Sequence, residues 1–210
     1  LRARAWRRPG RAGSGLSAGD IDVTARRHPY DGFFGVEEVD LRHPRFDGGT
    51  QEVARRAIWR VTDAATVLPY DPVRDRVLLI EQIRFGPLVH GDPAPWLLEP
   101  VAGLVDAGET PEETARREAV EEAGVIVEDL HFVARYYPSP GGVAQVLFSY
   151  VGIADLPDEA AQLGGHEDEA EDILGHVVAF DEAMTLMEGG DLVNAPAILS
   201  MQWLAANRDR

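Results

Sequence analysis

The sequence predicts a fold of the α/β (α+β) class: a mixed β-sheet sandwiched between helices, with a small N-terminal β subdomain in front. Three observations predict it. Residues 20–60 alternate in short β-like runs, IDVTARR and GFFGVEEVDLRH among them, broken by Asp-Gly and Gly-Gly turns. From residue 61, apolar strand-like runs are interrupted by one sharply bounded charged helix, in an order unlike a repeating βαβ array. Two more helical segments close the chain. Hydrophobic residues make up 45% of the 210, enough for a proper core. The expected organisation is a basic tail over 1–15, the β subdomain over 16–60 and a main domain over 61–210.

Each element has a local reason. The tail LRARAWRRPGRAGSG is poor in bulky apolar residues and reads as a disordered extension; it has no apolar segment of the secretory kind. TVLPY and RVLLIEQIRF flank the turn DPVRD and form a hairpin pattern. PWLLEPVAG is a further apolar run, followed by the charged helix at 111–123. HFVARYYP and AQVLFSYVGI read as strands, and an acidic stretch over 155–172 precedes the strand-like ILGHVVAF. The closing helices are predicted around 181–188, stopped by Gly189-Gly190, and from about 195 to 206, with Asn194 as N-cap.

Charge narrows the function. Acids number 36 against 20 basic residues, all arginine, for a net −16. Arg2, Arg4, Arg7, Arg8 and Arg11 fall in the tail, so the body is more acidic still. Such a body repels nucleic-acid backbones and acidic membranes and attracts divalent cations. No apolar run approaches the ~18 residues of a spanning helix. The absence of cysteine rules out disulfides and thiolate metal sites and fits a reducing cytoplasm.

The helix at 111–123 carries the chemistry. Thr110 and Glu113 form a capping box, Pro111 takes the first helical position, and Gly124 supplies a left-handed stop. Glu118 and Glu122 stack one turn apart, with Glu121 beside them, and the intervening apolar residues are small: Ala115, Ala119 and Ala123. In a solvated face these glutamates would be salt-bridged to Arg116 and Arg117. In a half-buried cleft they repel and lose hydration unless a proton or cation neutralises them. Hard carboxylate oxygens combined with substrate phosphates describe a Mg²⁺ or Mn²⁺ site.

The segment from Gly103 reads Gly, five residues, Glu109, seven residues, then Arg117-Glu118-Ala119-Val120-Glu121-Glu122-Ala123-Gly124-Val125. This resembles the Nudix box, with every specified position filled; a chance match is on the order of one in 10⁵. The resemblance extends over most of residues 20–206 and is nearest to bacterial ADP-ribose pyrophosphatases. It implies the Nudix fold and Mg²⁺-dependent hydrolysis of ADP-ribose to AMP and ribose 5-phosphate, with Mn²⁺ as an alternative ion. It makes Glu118, Glu122 and the Ala102 carbonyl metal ligands and Glu121 a ligand or a nearby catalytic carboxylate. Glu109 and Arg117 would hold the loop and helix together, with Arg117 orienting a carboxylate.

The same resemblance assigns the stretch Gly165-His166-Glu167-Asp168-Glu169-Ala170-Glu171-Asp172 to a loop before the last strand, with Glu169 as general base and Glu171 as an additional ligand; the two could exchange roles. Read by composition alone, it is a solvated acidic loop. Arg84 matches a diphosphate-contacting arginine, and Gly103 and Leu104 fall among the substrate-lining positions. Tyr137-Pro138-Ser139-Pro140-Gly141-Gly142 resembles the family's ribose-site loop, and would equally serve as a turn. Where the family carries Glu after that loop, this chain has Gln145, which cannot act as a base. Phe33 and Arg56 match positions that reach the adenine from the other subunit of a domain-swapped homodimer, which makes 16–60 the dimerising part. The alternatives are hydrolysis of another nucleoside-diphosphate sugar or of NADH, and non-catalytic ADP-ribose binding. The intact set Glu109, Glu118, Glu121 and Glu122 argues against pure binding, and the acidic body argues against mRNA decapping.

Overall fold

The computed structural model describes residues 13–165 and 171–208. They fall into two compact units, one running to Val61 and taking in Ser139–Gln145, the other comprising Thr62–Pro138 and the chain from Val146 on.

In the first unit, β1 (Asp22–Asp31), β2 (Gly35–Pro44) and β3 (Thr50–Arg60) form antiparallel pairs, and β9 (Val143–Ala144) adds in parallel to the end of β3. The turns fall where Asp-Gly and Gly-Gly place them. The strands are longer than the short runs expected, because register shifts such as that between Val39 and Leu41 absorb the breaks in alternation. Opposite charges face each other across the ladder, with Arg27 on Asp40 and Arg42 on Glu52. The segment 139–145, expected within the main domain, instead belongs here: β9 pairs through Trp59↔Val143 and Arg60↔Ala144. Turn chemistry in Ser-Pro-Gly-Gly marks a reversal but carries no information about which sheet receives the next residues.

The second unit is built on an 8-stranded mixed sheet with the path β11-β12-β5-β4-β10-β8. Its strands are β4 (Ala64–Asp71), β5 (Arg76–Ile83), β6 (Trp96–Glu99), β7 (Val101–Leu104), β8 (Leu130–Tyr136), β10 (Leu147–Ile153), β11 (Leu163–Gly164) and β12 (Ile173–Ala179), with the short helix α1 (Phe85–His90) between β5 and β6. β4 is buried along its whole length, as expected of a strand covered on both faces. Along it Ala65 and Val67 face α2 (Pro111–Ala123), whereas Leu68 and Tyr70 face α3 (Phe180–Gly189) and α4 (Ala195–Asn207). That is the sheet between helices that the sequence predicts.

The run PWLLEPVAG divides at Pro100, which cannot donate to a ladder. β6 then pairs with the end of β5 and β7 with the start of β4. β7 is thereby laid beside α2. Truncating a core residue such as Leu78 or Ile80, both fully buried, would cost about 3 kcal/mol. Among the described residues no helix is long and apolar enough to cross a membrane.

Candidate active site

The site grows from the packing of α2 on β7. The Thr110 capping box is formed, with Glu113 bonded back to the cap, and Gly124 ends the helix at φ 65°. Ala115, Ala119 and Ala123 are the buried face, and their small size brings the helix close to the sheet. Val120, the one larger apolar residue, turns outward and is exposed.

Close approach carries Glu122 inward. It is 2% exposed, and its carboxylate accepts the backbone N–H of Ala102 at 2.9 Å. A strand residue's N–H and C=O lie on the same edge, so the Ala102 carbonyl is directed to that side as well. Burial pushes the Glu122 carboxyl up to about 8; the Ala102 N–H opposes the rise, the charges of Glu118 and Glu171 add to it, and that of Arg84 opposes it. Glu118, one turn earlier, is raised by burial, against the pull of Arg117. The fold thus collects negative charge that it does not itself neutralise.

Gly103 explains the first letter of the motif. A Cβ there would collide with the Glu118 carboxylate, so the missing side chain is the room in which Glu118 lies. Arg117 explains its middle. Its Nε and Nη2 grip Glu109 at 2.9 and 3.0 Å, while Nη1 donates to Glu118 and to Glu121, each at 2.7 Å. The fork holds Glu109 down to about 2. Nη2 also points toward the Leu104 carbonyl, at 3.5 Å.

Arg84 follows β5 and reaches Glu99 on β6, with Nε 2.7 Å and Nη2 2.6 Å from one carboxylate oxygen. Glu171 precedes β12 and bears electrostatically on both Glu118 and Glu122. Ala102, Gly103, Leu104, Glu118, Glu121, Glu122, Arg84 and Glu171 therefore share one region of the second unit. Phe33, Arg56, Ser139 and Gln145 lie in the first. Phe33 sits in the β1–β2 turn, 83% exposed and edge-on to Phe34, and Arg56 is exposed on β3 opposite Val39. The Ser139 carbonyl closes a turn by accepting the N–H groups of Gly142 and Val143. Glu169, with Glu167 and the rest of 166–170, lies outside the described residues.

These residues fit a hard dication. A buried carboxyl held far above its ordinary range and a space cleared for a second carboxylate are what a cation site needs. Among the described residues, no three His, Asp or Glu side chains are grouped as a ready-made cage; Arg117 and the Ala102 N–H take up the carboxylate oxygens instead.

Residues 60–198 match the NUDIX domain model. The chain belongs to the Nudix family. It is 42% identical over 185 residues to an ADP-ribose pyrophosphatase of Escherichia coli (strain K12), covering 88% of each protein. It is 36% identical to the ADP-ribose pyrophosphatase of Haemophilus influenzae over 96% of this chain and 94% of that one. A GDP-mannose pyrophosphatase of an Enterobacter species is 31% identical, over 88% and 94%. A crystal structure of an ADP compounds hydrolase shares the fold, with a TM-score of 0.66 at 24% identity over 92% of this chain and 99% of that one.

Three positions of this Nudix site were not found by sequence reasoning. Glu99 and Asn194 meet through a 2.8 Å hydrogen bond across 95 residues of chain. Gly164 on β11 packs so tightly that a Cβ would strike the Glu122 carbonyl, which sets β11 against α2. Asn194 was visible only as a helix cap. Gly164 stood in a Gly-Gly pair that reads as an ordinary turn.

Proposed function

We propose that this Nudix hydrolase cleaves the pyrophosphate of ADP-ribose, with Mg²⁺ as the working ion and Mn²⁺ as a substitute, releasing AMP and ribose 5-phosphate. The observation that carries the proposal is the burial of Glu122 beside Ala102, with Glu118 stacked one turn before it in the space left by Gly103. The 42% identical relative named for this activity supports the choice of substrate.

The roles are those that the family resemblance implies. Glu118, Glu122 and the Ala102 carbonyl hold the ion, with Glu171 as a further ligand and Glu121 as a ligand or supporting carboxylate. When bound, Mg²⁺ neutralises the diphosphate, polarises its oxygens and lowers the pKa of water. Glu169 takes the proton of the attacking water. The water oxygen bonds to one phosphorus, the bridging P–O bond breaks, and the departing phosphate carries away the bond's electrons. Arg84 supplies positive charge to the diphosphate, and Gly103 and Leu104 present backbone to it. Arg117 spans Glu109, Glu118 and Glu121 and keeps the carboxylates in register.

Ser139 and Gln145 are assigned to the terminal ribose, and Phe33 and Arg56 to the adenine of substrate bound by the other subunit of a homodimer. A largely exposed N-terminal sheet, bearing Ile21, Val23, Tyr30, Phe33 and Trp59 at its surface, supports such a pairing. A chain without cysteine suits cytoplasmic work.

A second reading has its own observation. Gln145 stands where an acid is expected, and a 31% identical relative is a GDP-mannose pyrophosphatase, so another nucleoside-diphosphate sugar is the competing substrate. A panel of ADP-ribose, GDP-mannose, ADP-glucose and NADH, each with Mg²⁺ and with chelator, tests both. AMP release fastest from ADP-ribose and abolished by chelator is expected. Faster turnover of GDP-mannose would favour the second reading, and chelator-insensitive turnover would reject the mechanism.

A further inference from the structure

We propose that Glu99 and Asn194 are positioning residues that hold Arg84 in place for the substrate diphosphate. The inference rests on the reading of Arg84 given above and extends it to two residues outside the Nudix box.

Arg84 stands at the end of β5, its backbone extended at φ −120° and its N–H bonded to the Pro95 carbonyl. The backbone is fixed, but a long side chain that is 39% exposed is not fixed by that alone. Glu99 does the fixing. Its side chain is 4% exposed, and both Nε and Nη2 of Arg84 converge on Oε2. That side-on grip leaves the far edge of the guanidinium for an anion; among the described residues nothing is bonded to Nη1. The Arg84 charge is felt by Glu122, the buried carboxylate assigned to the metal.

A buried carboxylate holds an arginine well only if its other oxygen is also satisfied. Asn194 satisfies it: Nδ2 donates to Glu99 Oε1 at 2.8 Å. The Oδ1 atom of the same amide accepts the Ala197 N–H at 3.1 Å and caps α4. Ser or Asp would cap that helix equally well. Asn serves the two partners with separate atoms, Oδ1 for the cap and Nδ2 for Glu99, whereas Asp has no donor and Ser must use one shorter-reaching hydroxyl for both. The residue choice at 194 is thus explained by Glu99 and not by the helix.

The test is a double-mutant cycle on the full chain in Mg²⁺, with thermal melts to establish folding. KM and kcat are measured for ADP-ribose, and affinity is measured by calorimetry for its methylene-bridged, non-hydrolysable analogue. Glu99→Gln should raise KM and the analogue Kd by about tenfold or more while changing kcat less, since a misplaced arginine costs binding and alignment. Asn194→Ser, which retains the cap, should move both in the same direction by a smaller factor. In an Arg84→Ala background, Glu99→Gln should cause no further loss. Equal losses with and without Arg84 would overturn the proposal, as would wild-type affinity in Arg84→Ala. A wild-type protein that binds the analogue but fails to hydrolyse ADP-ribose would instead overturn the proposed function, with the analogue affinities still deciding this one.

Discussion

A side chain at Gly103 would occupy the place of the Glu118 carboxylate. The atoms in the way belong to a flexible side chain and not to backbone, so the cost of adding a methyl falls on the site and not on the fold. Gly103→Ala should fold with a melting temperature near that of wild type and lose about 10²-fold in kcat/KM through displacement of Glu118. Circular dichroism melts beside steady-state kinetics check both halves of the prediction.

Arg117 bonds three carboxylates with one guanidinium, and a lysine cannot reproduce the paired grip on Glu109. Its side chain is 30% exposed, which places the ion pairs between surface and buried values. Arg117→Lys should destabilise the protein by about 2 kcal/mol, measured by urea unfolding in chelator, and lower turnover by displacing Glu118 and Glu121.

Glu122 gives a pH dependence whose sign is fixed. Its carboxyl is raised from 4.5 to about 8 in the folded chain, so its contribution to stability is complete below 4.5 and is lost as pH rises toward 8. Glu118 shifts in the same direction. Glu109, held down to about 2, acts oppositely, and its contribution is lost only as pH falls toward that value. In chelator the melting temperature should fall between these limits on raising the pH, and saturating Mg²⁺ should remove most of the fall while releasing protons. Glu122→Gln should flatten the chelated profile; an unchanged slope would mean that the charge of Glu122 is not what the fold resists.

The general base is assigned to Glu169, and Glu167, two residues before it in the same acidic stretch, is the control. Glu169→Gln should reduce kcat far more than Glu167→Gln, with little change in KM for either. Equal losses would assign the proton transfer to another residue.

How much could be read in advance depended on how local each cause is. The ends of α2 were legible because Thr110, Pro111, Glu113 and Gly124 act within a turn of the positions they define. The pairing of Glu118 with Glu122 followed from helical spacing. Why Gly103 must be glycine was not legible, because the reason is a carboxylate 15 positions away brought over it by packing. Glu99 and Asn194 were missed for the same cause, with β6 and the start of α4 meeting only in three dimensions. The division at Pro100 and the capture of Val143–Ala144 by β3 likewise depend on which strand lies alongside.

The central claim, that Glu118 and Glu122 hold a dication which in turn holds the diphosphate, is tested most directly by calorimetric titration of Mg²⁺ into wild type and Glu122→Gln, each saturated with the methylene-bridged analogue. The account predicts Mg²⁺ uptake by wild type and its loss in Glu122→Gln. Equal uptake by the two proteins, or none by wild type, would contradict it.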